Sequence, residues 1–103
     1  SERLKKVNAM LSTEVGPALA AAIDRPGVLV TVTAVETSPD LKLATVWVSV
    51  LPDSDEQWKE VVEATPTVQA HVAARVELKH TPKLTLARDR GPQHAQHINE
   101  LLE

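Results

Sequence analysis

Apolar residues recur at helical spacing through the first part of the chain. Leu4, Val7, Leu11, Val15, Ala18, Leu19 and Ala22 form one stripe, which predicts an amphipathic helix over residues 3–23. Gly16-Pro17 falls inside it. Proline lacks the backbone donor and crowds the preceding turn, so a kink or short break is expected there. Asp24-Arg25-Pro26-Gly27 is a stop signal with turn chemistry. The period then changes from helical to alternating. Residues 28–36 are dominated by β-branched side chains, with Val30, Val32 and Ala34 on one face and Thr31, Thr33 and Val35 on the other. Ser38-Pro39-Asp40 is a turn, and residues 41–51 form a second strand. So short a connection implies an antiparallel hairpin.

Pro52-Asp53-Ser54-Asp55 ends that strand and offers an N-cap for a helix over residues 56–65, with Trp58, Val61 and Val62 on its buried side. Pro66 cannot continue this helix without kinking it, but it suits the first position of a new one with Thr65 as N-cap. The second helix is expected over residues 67–79, bringing Val68, Val72, Arg75, Val76 and Lys79 near one another. Thr81-Pro82 breaks it, residues 84–88 form a short third strand, and Arg90-Gly91-Pro92 turns into a terminal helix over 93–102 that packs Ile98, Leu101 and Leu102. The order is α-β-β-α-kink-α-β plus a C-terminal helix. This is an α+β arrangement, a three-stranded sheet with helices packed on one face, filling residues 1–103 as a single domain.

Composition narrows the functional classes. A chain of 103 residues with 43% hydrophobic and 24% charged residues can bury one core without staples. There is no cysteine, hence no disulfide, thiol nucleophile or thiolate metal site, which suits the cytoplasm. No apolar run approaches the ~20 residues of a membrane span, and Ser1-Glu2-Arg3-Leu4-Lys5-Lys6 lacks the apolar stretch of a signal peptide, so no membrane association is expected. Trp47 and Trp58 are the two aromatics, too few for a sheet face that stacks bases. The net charge is −3, yet the charges are segregated. Arg3, Lys5 and Lys6 lie in residues 1–6 and Arg75, Lys79, Lys83, Arg88 and Arg90 in residues 71–90, whereas Glu36, Asp40, Asp53, Asp55, Glu56, Glu60 and Glu63 occupy the middle against Lys42 and Lys59. A basic face on an acidic protein is therefore expected.

The sequence offers little catalytic chemistry. The glycines at 16, 27 and 91 are scattered, which leaves no phosphate-cradling loop, and no acid–base set converges, so the chain does not read as an enzyme. His94 and His97 share a helix face as a zinc site would require, but no third ligand is evident, and no metal or cofactor is expected. His71 and His80 read as ordinary surface or boundary histidines, and the acidic run from Asp53 to Glu63 as a helix N-terminus stabilised through its dipole. Arg75 and Lys79, four apart, are expected to share a helical face, with Lys83 and Arg88 following. The kink exposes the first N–H groups of the second helix, a place for phosphate.

The hairpin stretch Val30-Thr31-Val32-Thr33-Ala34-Val35-Glu36-Thr37-Ser38-Pro39-Asp40-Leu41-Lys42-Leu43-Ala44-Thr45-Val46-Trp47-Val48-Ser49 resembles, at nearly every position, the hairpin of the ribosome-binding factor A family. Arg3, Lys6, Val7, Leu11, Glu14 and Val15 resemble its first helix, Leu78-Lys79-His80-Thr81-Pro82-Lys83-Leu84 its third-strand entry, and Ile98, Leu101 and Leu102 its C-terminus. The resemblance covers most of the chain. It implies a type II KH-like domain, in which a loop between two helices clamps a nucleic-acid backbone. The family replaces that loop with an Ala-x-Gly kink, which falls here on Ala64-Thr65-Pro66. Pro66 stands where the glycine would be, keeping the break but deleting one N–H. Gly16-Pro17 departs from a helix that the family usually leaves uninterrupted.

The resemblance further implies a non-enzymatic assembly factor that binds the immature small (30S) ribosomal subunit and its 16S-type rRNA, assists late maturation, acts as a cytoplasmic monomer and is released by a ribosome-associated GTPase. The expected RNA-binding residues are Arg3, Lys6, Ala64, Thr65, Pro66, Arg75, Lys79, Lys83 and Arg88. The alternative is a KH-like protein-interaction module without direct RNA contact, which the net acidity and Pro66 favour.

Overall fold

The computed structural model describes residues 2–90. The predicted turn at Gly91-Pro92, the C-terminal helix and the His94/His97 pair lie outside the described residues. Helix α1 (Glu2–Ala22) is followed by strands β1 (Leu29–Thr37) and β2 (Leu43–Leu51), helices α2 (Asp55–Glu63) and α3 (Thr65–Arg75), and strand β3 (Lys83–Arg88). The sheet order is β1-β2-β3. β1 and β2 are an antiparallel hairpin. β3 runs parallel to β2, from Leu43 opposite Lys83 to Val48 opposite Arg88, which requires the α2–α3 crossover between them.

The alternation of β2 shows where the core lies. Ala44, Val46, Val48 and Val50 are buried, joining Val7, Leu11, Val15 and Leu19 of α1, Val61 of α2, Val68 and Val72 of α3, and Leu84 and Leu86 of β3. Thr45, Trp47 and Ser49 occupy the opposite face and are half-buried, while Leu29, Leu43 and Leu51 are exposed.

Several expectations are corrected. α1 is one helix across Gly16-Pro17, with no break. Val15, Ala18 and Leu19 are buried around Pro17, which itself points outward, so packing holds the helix and water can serve the Thr13 carbonyl that has lost its donor. β1 contains a bulge: Val32 pairs with Val48 but Ala34 pairs with Trp47, leaving Thr33 as the extra residue. The Thr33 hydroxyl donates to the Trp47 carbonyl at 3.3 Å. The bulge exchanges the two faces beyond it, so Val35, opposite Val46, packs on the core with Val30 and Val32, and Ala34 does not. In α2, Val62 is exposed while Val61 is buried and Trp58 half-buried. The cap of α3 is Ala64, not Thr65.

The α2–α3 break is a single-residue joint. Ser54 caps α2 by accepting from the Gln57 N–H at 3.2 Å. Ala64, with φ −81° and ψ −7°, donates its N–H to Glu60 and Val61 carbonyls and accepts from the Val68 N–H at 3.0 Å. Thr65 and Pro66 then open α3, as proline's fixed φ favours. α3 ends at Arg75, because Val76 turns extended at φ −99°, ψ 122°. This exit lets Val76 and Pro82 bury and Leu78 pack on the core on the way to β3. Lys79 is therefore outside the helix, and it shares no helical face with Arg75.

Candidate nucleic-acid interface

The kink and β3 enclose a groove of about 530 Å³, lined by Val62, Thr65, Pro66 and Gln69 on the helical side and by Lys83 to Leu86 on the strand side. Gln69 spans it. Its Nε2 donates to the Pro82 carbonyl at 2.9 Å, and its Oε1 accepts from the Leu84 N–H at 2.7 Å. One side-chain amide thus satisfies the beginning of a strand edge that no described strand pairs. Of the first three residues of α3, Thr65 and Thr67 carry an N–H and Pro66 does not, so the anion-attracting helix end is one donor short.

The structure divides the predicted kink residues. Thr65 and Pro66 face the groove that Lys83 also lines, whereas Ala64 lines a different cavity with Asp24, Glu60 and Glu63. Arg25 on that side is bound to Glu60 at 2.7 Å. The surroundings of Ala64 are acidic and disfavour phosphate.

The predicted cations also sort by place. Arg3, in the first turn of α1, and Lys79 line one cavity of about 240 Å³ together with Asp40, Leu41, Lys42, Leu78 and His80. Lys6 is exposed one turn further along α1. Arg75 is exposed at the C-terminus of α3, where a cation complements the helix dipole, but it lies beside Glu14 and Glu77. Glu14 in turn meets His71 at 3.3 Å, which accounts for that histidine as a half-exposed structural partner.

Arg88 does not join the candidate surface. Its Nε and Nη2 donate to Asp53 Oδ1 at 3.0 and 2.7 Å, and its Nη1 donates to Asp55 Oδ1 at 2.8 Å. Its side chain is only 14% exposed. Its hydrogen bonds to Asp55 and then Asp53 raise its pKa, and the bond that Arg88 donates holds the Asp55 carboxyl below its ordinary value. The guanidinium ties the end of β3 to the start of α2, with its charge neutralised by two carboxylates. The acids at 53 and 55 therefore serve this clamp as well as the α2 dipole. Among the described residues no group of three or more His, Cys, Asp or Glu could hold a metal ion, and no helix is long and apolar enough to cross a membrane.

Sequence reasoning passed over Lys42, although it stands in the hairpin stretch that carried the resemblance. Its backbone carbonyl accepts from the Lys83 N–H at 2.9 Å, which joins the lining of the cavity to that of the groove.

Comparison with known proteins gives a consistent result. The sequence profile of the family described as Ribosome-binding factor A matches residues 3–102. A ribosome-binding factor A from Akkermansia muciniphila is 35% identical over 105 residues, covering 100% of this chain and 84% of that protein. One from Clostridium novyi is 34% identical, covering 97% of this chain and 87% of the other. Among solved structures, a crystal structure of ribosome-binding factor A from Thermus thermophilus superposes with a TM-score of 0.72 at 23% identity, over 82% of this chain and 94% of that one. A Thermus thermophilus ribosome-binding factor A fitted into a cryo-EM map of a 30S complex has a TM-score of 0.62 at 27% identity, over 80% of this chain and 94% of that one.

Proposed function

The chain belongs to the ribosome-binding factor A family, and we propose that it is a non-enzymatic assembly factor that binds the immature small ribosomal subunit. The observation that carries this reading is the family match over nearly the whole chain, joined to the relative whose homology model is fitted into the map of a 30S complex. The protein contacts 16S-type rRNA through the end of the domain where Arg3, Lys79 and Lys83 lie, with Lys6 exposed one turn further along α1 and Thr65 and Pro66 bordering the groove beside Lys83. Arg75, exposed beside Glu14 and Glu77, is a separate candidate contact, and Arg88 and Ala64 take no part. It acts in the cytoplasm as a monomer, assists late rRNA maturation and is released by a ribosome-associated GTPase. These last features rest on the family resemblance.

The test is co-sedimentation with immature small subunits across a salt series. Arg3→Ala/Lys79→Ala removes two phosphate contacts and should flatten the log-affinity against log-salt slope by about 1.4–1.8. Both side chains are exposed, so folding should change by no more than about 0.5 kcal/mol. Wild-type protein that does not sediment with the subunit refutes the proposed function. Binding with a flat salt slope favours the second reading, a protein-docking domain. Its supporting observation is an apolar pair on the hairpin, Leu29 and Leu51, which sit opposite each other at 59% and 57% exposure.

A further inference from the structure

Three segments far apart in sequence meet where β2 and β3 begin. α1 contributes Arg3, the hairpin turn contributes Asp40, Leu41 and Lys42, and the link from α3 to β3 contributes Leu78, Lys79 and His80. The space between them is about 240 Å³. It is chemically two-sided. Leu41 and Leu78 are half-buried against the hydrophobic core and form an apolar floor. Arg3, Lys42 and Lys79 are exposed at the rim, and none of them is held in an ion pair with a described residue. Asp40, the single acid among the described lining residues, is turned to the hairpin: its Oδ1 accepts the Ser38 hydroxyl at 2.6 Å and the Lys42 N–H at 3.0 Å. These bonds shape the turn and leave the rim with an excess of positive charge.

Leu41 supports the idea of a built floor. Its φ is +62°, the left-handed region that glycine or asparagine adopts far more readily than a branched apolar residue. The turn holds it there through the Leu41 N–H bonded to the Ser38 carbonyl at 2.8 Å. A residue unsuited to this backbone contributes what glycine cannot, an apolar side chain lining the cavity.

We propose that this cavity holds one unstacked nucleotide of a single RNA strand, its phosphate against Arg3, Lys42 and Lys79 and its base against Leu41 and Leu78. The proposal rests on the rRNA-binding reading above and adds to it an occupant and three residues, Leu41, Lys42 and Leu78. A bare phosphate would gain nothing from the two leucines, and a purely apolar ligand would leave three cations unused. A nucleotide joins both characters. The volume is below the roughly 300–1,000 Å³ usual for whole small-molecule ligands, which suits a single nucleoside unit. Continuity argues for a strand and not a free nucleotide. The Lys83 N–H to Lys42 carbonyl bond places the kink groove and this cavity side by side, so RNA leaving the groove reaches the cavity directly.

The test uses the full chain with isotope-labelled leucine methyl groups, titrated separately with AMP, inorganic phosphate, adenosine and a single-stranded hexaribonucleotide. AMP and the hexanucleotide should move the Leu41 and Leu78 methyls and the Lys42 amide, the hexanucleotide at least tenfold more tightly. Lys79→Ala should weaken AMP at least fivefold. That residue is exposed and outside every helix and strand, so the variant keeps the fold. Leu78→Ser should weaken AMP while leaving phosphate binding unchanged. AMP that binds no tighter than phosphate, or that leaves both methyls unmoved, overturns the site. A hexanucleotide no tighter than AMP overturns its assignment to an RNA strand. If the protein sediments with small subunits yet the methyls stay still, the cavity proposal alone has failed; absence of sedimentation counts against the proposed function alone.

Discussion

Gln69 is the most economical point at which to test how α3 is fastened to the sheet. Its amide makes two hydrogen bonds, to the Pro82 carbonyl at 2.9 Å and from the Leu84 N–H at 2.7 Å, across the groove that borders the kink. Gln69→Met keeps the length and most of the apolar contact while removing both bonds. Each is worth about 0.5–1.5 kcal/mol net, so the pair amounts to about 1–3 kcal/mol. Gln69 is half-buried and the groove is open, so water can partly replace the amide, which places the expected loss at about 1–2 kcal/mol. Urea denaturation should show a lower midpoint with an unchanged slope, since the same surface is exposed on unfolding. The Leu84 amide should exchange roughly 5–30-fold faster, the factor that corresponds to one or two kcal/mol. A variant within about 0.5 kcal/mol of wild type, with Leu84 protection intact, would refute the claim that this amide fastens β3.

Three further outcomes are expected. The Arg88 clamp should lose its contribution in acid: Asp55 is held below its ordinary value, chiefly by Arg88, so the stabilisation is complete above the unfolded carboxyl value of about 3.9 and disappears as pH falls through the lower folded value. The urea-midpoint gap between wild type and Arg88→Met should shrink over that interval, and a pH-independent gap contradicts the assignment. Gly27→Ala should cost about 1–2 kcal/mol from backbone strain at φ +81°, since an added Cβ meets nothing within 4 Å; a neutral change would show that the turn relaxes. Pro66→Gly restores one N–H at the start of α3 and should tighten or preserve subunit binding, measured by sedimentation at fixed salt, whereas weaker binding would show that phosphate does not approach the kink.

What could be read along the chain was whatever depends on local period and local chemistry. The stripe Leu4 to Ala22, the alternating hairpin and the Thr65-Pro66 break each announce themselves within a few residues, and each element is present. Apart from the α3 cap, one residue earlier than expected, the misreadings depend on distant partners. Unbroken alternation from Val28 to Val35 hides a bulge that exists only because β2 pairs across it. Val76 and Lys79 keep helical spacing after Arg75, yet the chain must leave the helix to bring Pro82 and Leu84 into the sheet. Arg88 looks like any strand-end cation until Asp53 and Asp55, more than thirty residues earlier, are seen to hold it. The cations Arg3 and Lys79 were recognisable singly, but their meeting with Lys42 follows from tertiary structure alone.

That meeting also resolves the apparent conflict between a net charge of −3 and an RNA partner. The sheet separates the charges by its two ends. Arg3, Lys42, Lys79 and Lys83 lie where β2 and β3 begin. Asp53 and Asp55 lie where β3 ends, against the start of α2, and Glu60 and Glu63 border the cavity at the far end of α1. Phosphate sensed at short range sees the nearer charges most, because at physiological salt the field decays over about 8 Å. In the proposed function, the basic end attracts RNA while the acidic end, facing away, opposes binding in the reverse orientation. Net acidity then becomes an orienting feature. It predicts that Asp55→Asn or Glu63→Gln, remote from the basic end, should leave the salt slope of subunit binding unchanged, while Lys79→Ala flattens it by about 0.7–0.9. Equal effects from the two kinds of substitution would mean that only total charge matters and that the division between the ends has no role.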